Sequence, residues 1–373
     1  MIVVADENMP GLEEALGKGA FTLRRYPGRQ IDADMLADAD VLLVRSVTRV
    51  DAALLARNDG RLRFVGTATI GRDHLDEDLL RRRGVQVVSA PGCNAQAVLE
   101  YVLAALCLLQ TLQGLDWRQQ TFAVVGLGQV GQRVAALATA LGCRVVYCDP
   151  VVDDRRWPRL SWRELLEQAQ LLSLHVPLTR TGDHPTWHML DAAALAHLPP
   201  GGVLISTCRG GVVDEVALRA SLTTGHLAHA VLDVWEGEPV IDARTLALAR
   251  LATPHVAGYS QEGKWRGSLQ VLQALFRSLG EDCPVQMPPS PCIDLGELQG
   301  EHVLARAMLR IVPLLRDDAA LRALTAGDGA GFDALRRHYP WRHEASAYRL
   351  DTSDHQAATI LRQLGVQVGP LLS

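Results

Sequence analysis

Short apolar, β-branched runs separated by amphipathic stretches set the rhythm of this chain. The clearest run, residues 121–125 (Thr-Phe-Ala-Val-Val), is too short for a helix and leads without a gap into Gly126-Leu127-Gly128-Gln129-Val130-Gly131. Apolar positions then recur at helical spacing through Val130, Val134, Leu137 and Leu141. Gly142 ends that stretch, and a second strand-like run at 143–148 leads into Asp149. Further buried-strand runs at 171–176, 203–207 and 230–234 alternate with helical sequence, which predicts an α/β fold with a doubly wound parallel sheet. Residues 1–93 show the same alternation at 2–5, around 35–39, and at 41–44, 64–67 and 85–89, so a separate α/β unit is expected first. Residues 94–112 predict a strongly apolar helix between the two, and Glu100 inside it argues against a membrane span. From about 281 the prolines of CPVQMPPSPC predict a linker. Beyond it a helix at 301–323, a strand at 347–351, a helix at 355–364 and a strand at 366–368 predict a small C-terminal α/β domain.

Composition narrows the function classes. The chain has 373 residues, 48% of them hydrophobic, enough for two or three domains with sizeable cores. A net charge of −5 argues against nucleic acid or an anionic membrane as the main partner. The first residues lack a basic leader and no uncharged apolar run approaches ~18 residues, so a cytoplasmic location is expected. Seven cysteines, odd in number and without CxxC spacing, read as reduced thiols. His184 with His188, and His226 with His229, lack the companion ligands of a metal site, so no metal is expected.

The glycine run is the first piece of chemistry. Gly126 allows a tight turn, Gly128 lets a pyrophosphate approach the backbone, and Gly131 lets the new helix lie close on the strand, with Gln129 and Val130 at its first turn. The helix amides then face the pyrophosphate. Asp149 stands roughly 20 residues further on, where an acid binds the adenosine ribose, favouring NAD over NADP. Arg144, Arg155 and Arg156 lie near enough in sequence to leave a 2′-phosphate open. In open parallel sheets ligands collect at the carboxyl ends of strands. In the first unit those ends carry Asp6-Glu7-Asn8, Arg45-Ser46 and Thr67-Ala68-Thr69, which are either substrate contacts or loop caps. In the second they carry His175, Cys208-Arg209, Asp233 through Glu238-Pro239, and Thr253-Pro254-His255 through Gly258-Tyr259. Singly, Arg209 could be an ion-pair partner, Glu238 a loop acid and His255 a core histidine. As a set at one sheet edge they are an arginine for a planar carboxylate, a histidine for a proton and a carboxylate to orient the imidazole.

With those residues placed, residues 1–280 resemble the D-isomer-specific 2-hydroxyacid dehydrogenases. The resemblance is carried by Gly126 to Gly131 with Asp149, His175-Val-Pro-Leu-Thr179, Arg209-Gly210, Glu238-Pro239 and Pro254-His255. It implies a Rossmann NAD-binding domain at 94–256 and a discontinuous, flavodoxin-like substrate domain at 1–93 plus 257–280. Narrower motifs, such as Asp6-Glu-Asn-Met-Pro10 and Val44-Arg-Ser-Val-Thr48, resemble a subgroup acting on a small phosphorylated 2-hydroxy acid, whose C-terminal domain, here 281–373, serves homodimerisation. The resemblance further implies Arg209, Glu238 and His255 as catalytic and Ser46, Thr67 and Tyr259 as substrate contacts; Arg45 is a substrate-contact candidate beyond the matched residues. It places Asp149, His175, Cys208, Arg209, Asp233 and Gly258 around NAD. Arg45, Lys264 and Arg266 are candidates for a phosphate. One departure is Ser206, where relatives commonly carry Asn. Another phosphorylated hydroxy acid, such as 3-phosphoglycerate, and a nucleotide-sensing scaffold remain the alternative readings.

Overall fold

The computed structural model describes residues 1–17 and 19–369, and in it the chain forms two compact units. The first comprises Met1–Asn94 with Ser260–Pro289, the second Ala95–Tyr259 with the chain from Ser290 onward.

The first unit is a five-stranded parallel sheet of β1 (Ile2–Asp6), β2 (Thr22–Tyr26), β3 (Val41–Val44), β4 (Phe64–Thr67) and β5 (Gln86–Val88), ordered β2-β1-β3-β4-β5. That is the flavodoxin-like order. Strands β3 and β4 are buried along their whole length, as expected of a sheet covered on both faces. β2, Thr-Leu-Arg-Arg-Tyr, gave no apolar run because it is an edge strand with exposed and half-exposed positions throughout. Residues 33–38 form turns rather than a regular element, since only Leu36 of that stretch, with Ala39 just after it, reaches the core. The helix Gln261–Ser278 returns to this unit and places Val271, Leu272 and Leu275 in one core with Val3, Leu43 and Phe64. Its close approach depends on Gly66 in β4, where a Cβ would lie 2.2 Å from Val271 Cγ1.

The second unit holds a six-stranded parallel sheet: β6 (Thr121–Val125), β7 (Arg144–Cys148), β8 (Leu171–Leu174), β9 (Gly202–Ser206), β10 (Leu227–Leu232) and β11 (Leu251–Ala252). Its order, β11-β10-β9-β8-β6-β7, reverses direction between β6 and β8, so their carboxyl ends flank a topological switch point. The helix Ala95–Gln113 is long and apolar enough to cross a bilayer, yet most of it is buried against this sheet and the C-terminal segment. Glu100, fully buried in that helix, receives hydrogen bonds from Arg342 Nη1 at 2.6 Å and the Ala345 amide at 2.8 Å. A third, smaller sheet of β12 (Ile293–Glu297), β13 (Tyr348–Asp351) and β14 (Gln367–Gly369) lies in the C-terminal segment, again all parallel.

The single helix expected at 301–323 is two, Val303–Ile311 and Leu314–Arg322. Pro313 separates them, because proline lacks the N–H that would continue the ladder. β12 and the helix Gly329–Arg337 had no expected counterpart; β12 is a largely exposed edge strand and the helix begins Gly-Ala-Gly. All seven cysteines are free thiols.

Candidate active site

β6 delivers the chain into the glycine turn. Gly126 adopts φ +84°, and a Cβ there would sit 2.6 Å from the His175 carbonyl oxygen. A Cβ on Gly131 would sit 1.9 Å from the Gly126 oxygen, so the helix Gly131–Ala140 can start where it does only with glycine. Gly128 faces open space within 4 Å, and Gln129 beside it is exposed. The helix has no side-chain cap, and of its first-turn amides that of Gln132 donates to the Gly128 carbonyl at 3.1 Å. Asp149, just past β7, ties this turn down. One carboxylate oxygen accepts from the Leu127 amide at 2.7 Å, and the other accepts from the Val151 and Val152 amides, both at 2.8 Å. These features fit a dinucleotide: a tight turn, an open approach over Gly128, a helix start without a side-chain cap and an acid at the next strand end.

His175 follows β8 and hydrogen-bonds Ser173 Oγ at 2.9 Å through Nε2, with burial depressing its pKa to about 3. It is therefore a neutral imidazole. Past β9, where the buried Ser206 ends the strand, the Cys208 thiol is buried, which pushes its pKa up, and Arg209 Nη1 donates to the Cys208 carbonyl at 2.8 Å. The Arg209-Gly210 turn presses on the next strand end: a Cβ on Gly210 would lie 1.9 Å from the Trp235 oxygen. That contact brings the arginine turn against the Trp235–Glu238 loop.

Asp233, at the end of β10, accepts from Thr253 Oγ1 at 2.6 Å and from the Val256 and Ala257 amides at 2.8 and 2.9 Å. The buried carboxylate thus moulds the turn that carries His255, whose backbone sits in the left-handed region at φ +57°. Glu238 Oε2 lies 2.8 Å from His255 Nδ1, while its Oε1 accepts from the Trp235 amide at 2.8 Å. Burial opposes the Glu238 charge, but His255, Arg336 and the Trp235 amide outweigh it and hold the carboxyl below its usual range. With Nδ1 engaged by a fixed carboxylate, Nε2 is the ring nitrogen left to exchange a proton. Gly258 and Tyr259 close the turn, with the Tyr259 amide donating to the Val256 oxygen at 2.8 Å.

In the first unit the expected substrate contacts gather at the carboxyl ends of β1, β3 and β4. Arg45 Nε donates to the fully buried Asp6 at 3.0 Å. Lys264 stands with them; burial and the Arg45 charge lower its pKa to about 8, Asp6 acting in the opposite sense. Arg266 donates to the Cys93 carbonyl at 2.9 Å. Ser46 is exposed, whereas the Thr67 hydroxyl is buried between Thr69 Oγ1 at 2.8 Å and His74 Nε2 at 2.9 Å. Sequence reasoning missed Arg336, whose charge acts on Glu238, and Tyr339 and Trp341, whose rings pack on Tyr259. Nothing in their spacing marks them.

A family model described as D-isomer specific 2-hydroxyacid dehydrogenase, NAD binding domain, matches residues 106–257, and one for a domain of unknown function matches 285–365. An erythronate-4-phosphate dehydrogenase of Pseudomonas putida (strain W619) is 45% identical over 382 residues, covering 99% of this chain and 100% of the relative. The chain belongs to the D-isomer-specific 2-hydroxyacid dehydrogenase family. A second relative of the same name, from Azotobacter vinelandii, is 45% identical and covers 98% of each chain. Among solved structures, a D-lactate dehydrogenase from Aquifex aeolicus, complexed with NAD and lactic acid, shares the fold at a TM-score of 0.66 and 24% identity, over 77% of this chain and 100% of its own. NAD is the cofactor of this family's nucleotide domain, and the turn at Gly126–Gly131 lies within the matched span.

Proposed function

We propose that the protein oxidises 4-phospho-D-erythronate at C2 to (R)-3-hydroxy-2-oxo-4-phosphooxybutanoate, an NAD-dependent step in pyridoxine and pyridoxal 5′-phosphate biosynthesis. The chemistry rests on one observation, the 2.8 Å contact between His255 Nδ1 and a carboxylate itself fixed by the Trp235 amide. The substrate rests on the full-length likeness to relatives named for it.

Gly126, Gly128, Gln129, Val130 and Gly131 hold the pyrophosphate and Asp149 the ribose, with His175, Cys208, Arg209, Asp233 and Gly258 lining the remainder. Bound NAD supplies the hydride acceptor. Arg209 takes the C1 carboxylate in two parallel hydrogen bonds and polarises the oxygen at C2. His255 removes the hydroxyl proton at Nε2, and Glu238 balances the imidazolium that forms. Arg45, Ser46, Thr67 and Tyr259 contact substrate, and Arg45 with Lys264 supplies cationic donors for the phosphate. In this reading residues 1–93 and 257–280 form the substrate domain, 94–256 the NAD domain and 281–373 a homodimerisation domain of a cytoplasmic enzyme; the last four residues lie outside the described chain.

The test is a parallel assay of the purified protein with NAD, a 2-oxo acid acceptor and either 4-phospho-D-erythronate or 3-phosphoglycerate. Preferential oxidation of the erythronate ester is expected. Preference for 3-phosphoglycerate contradicts the substrate, and turnover of neither contradicts the enzymatic reading.

A further inference from the structure

Residues 98–109 of the helix Ala95–Gln113 are buried throughout, so the polar groups among them need partners in place of water. Glu100 meets Arg342 and the Ala345 amide. Tyr101, beside it and also buried, has its hydroxyl 2.7 Å from Thr253 Oγ1. The Thr253 hydroxyl has a single proton and gives it to Asp233 Oδ1 at 2.6 Å. Tyr101 is therefore the donor to Thr253. Burial and the Asp233 charge raise the Tyr101 pKa well above its ordinary value, so the proton stays on it.

Thr253 is tied to both halves of the acid–base pair. Its side chain holds Asp233, whose carboxylate also takes the Val256 and Ala257 amides at 2.8 and 2.9 Å and so fixes the turn carrying His255. Its carbonyl accepts the Trp235 indole N–H at 2.9 Å, and the Trp235 amide donates to Glu238 Oε1 at 2.8 Å. Its own amide donates to the Leu232 carbonyl at 3.0 Å, at the end of β10. Tyr101, Thr253, Asp233 and Trp235 are all buried, where each such bond is strong and an orphaned group is costly.

We propose that Tyr101 and Thr253 are positioning residues of the active site, a buried hydrogen-bond relay that keeps the His255 turn and the Glu238 anchor in register. The inference rests on His255 and Glu238 being the acid–base pair. Those two side chains come from different loops, Glu238 from the one after β10 and His255 from the one after β11, and they meet across 2.8 Å. A small shift of one loop against the other opens that contact. Asp233 and Trp235 begin the first loop and Thr253 begins the second, so the Thr253 bonds join the two at their roots. Tyr101 sets the direction of the relay: its proton occupies a lone pair of Thr253 Oγ1 and leaves the threonine proton for Asp233.

The experiment is steady-state kinetics of the full-length protein with NAD, a 2-oxo acid acceptor and 4-phospho-D-erythronate, or 3-phosphoglycerate if the parent prefers it, beside titration with NAD. The variants are Tyr101→Phe, Thr253→Val, Thr253→Ser, the double variant Tyr101→Phe/Thr253→Val, and His255→Asn. For Tyr101→Phe we expect kcat about tenfold lower, with KM and the NAD dissociation constant within about twofold of the parent. Thr253→Val, which keeps the shape, lowers kcat roughly thirtyfold, whereas Thr253→Ser, which keeps the hydroxyl, stays within about threefold. Packing alone predicts the reverse order, because serine leaves a cavity where valine does not. Since Tyr101 acts through the Thr253 hydroxyl, the double variant is no slower than Thr253→Val by more than about twofold. Parental kcat in Tyr101→Phe, a Thr253→Ser slower than Thr253→Val, or losses that multiply in the double variant each overturn the inference. Where Tyr101→Phe does not fold, the comparison of serine with valine decides. His255→Asn separates the premises: if it is inactive while Tyr101→Phe and Thr253→Val are parental, the inference fails and the acid–base reading stands, whereas an active His255→Asn removes both.

Discussion

At the scale of single residues, the site is a set of carboxylates doing different work. Asp233 spends both oxygens on the turn around His255, whereas Glu238 divides its two between a backbone amide and the imidazole. Because the Glu238 carboxyl is held below its ordinary value, it is charged at neutral pH. Its stabilising effect is therefore complete at neutral pH and is lost only as acid carries the pH down through that lowered value. Replacing it by the isosteric Glu238→Gln is expected to lower kcat at neutral pH about a hundredfold or more with little change in NAD affinity, measured by single-turnover kinetics and fluorescence titration. A variant within threefold of the parental kcat would remove Glu238 from the pair. These residues were legible in the sequence because each sits in a short motif directly after a buried strand. Arg336 was not, since a lone arginine late in an amphipathic helix looks like any solvated charge until its neighbours are known. The buried Thr67 hydroxyl shows the converse, a polar strand end whose partner His74 lies seven residues on and leaves no pattern.

At the scale of elements, turn geometry explains why strand, glycines and helix must follow one another without insertion. Gly131 has no room for a side chain against the Gly126 carbonyl, and the helix it opens presents uncapped amides. Gly131→Ala is expected to push the helix away from β6, weaken NAD binding by at least roughly tenfold and lower Tm by several degrees. Calorimetric titration and thermal melting check both, and parental NAD affinity would show that this close approach is not needed for the cofactor. Interior strands were readable from sequence because burial on both faces demands continuous apolar runs, as in β3, β4 and β6. Edge strands were not. β2 and β12 expose most of their side chains, so nothing in Thr22–Tyr26 or Ile293–Glu297 distinguishes them from loops. The division of the 301–323 stretch turned on one residue, Pro313, whose effect outweighs the apolar periodicity on either side.

At the scale of the whole molecule, each unit carries its own parallel sheet and its own polar strand ends. The proposed catalytic residues Arg209, Glu238 and His255 and the dinucleotide turn belong to one unit, while Arg45 and Lys264 belong to the other. The C-terminal segment shares a core with the helix Ala95–Gln113 and with β6, through Val303, Met308 and Ile311, and the Glu100–Arg342 pair seals it. Removing one partner of such a buried pair costs about 3–5 kcal/mol, so this attachment is a structural commitment rather than a loose tether. The central claim is that His255, held by Glu238, accepts the proton as C2 of the hydroxy acid is oxidised. The most direct measurement is turnover of 4-phospho-D-erythronate by His255→Asn beside its NAD dissociation constant. The account predicts that kcat falls at least about a hundredfold while NAD binding stays within about twofold. Near-parental turnover in that variant would contradict it.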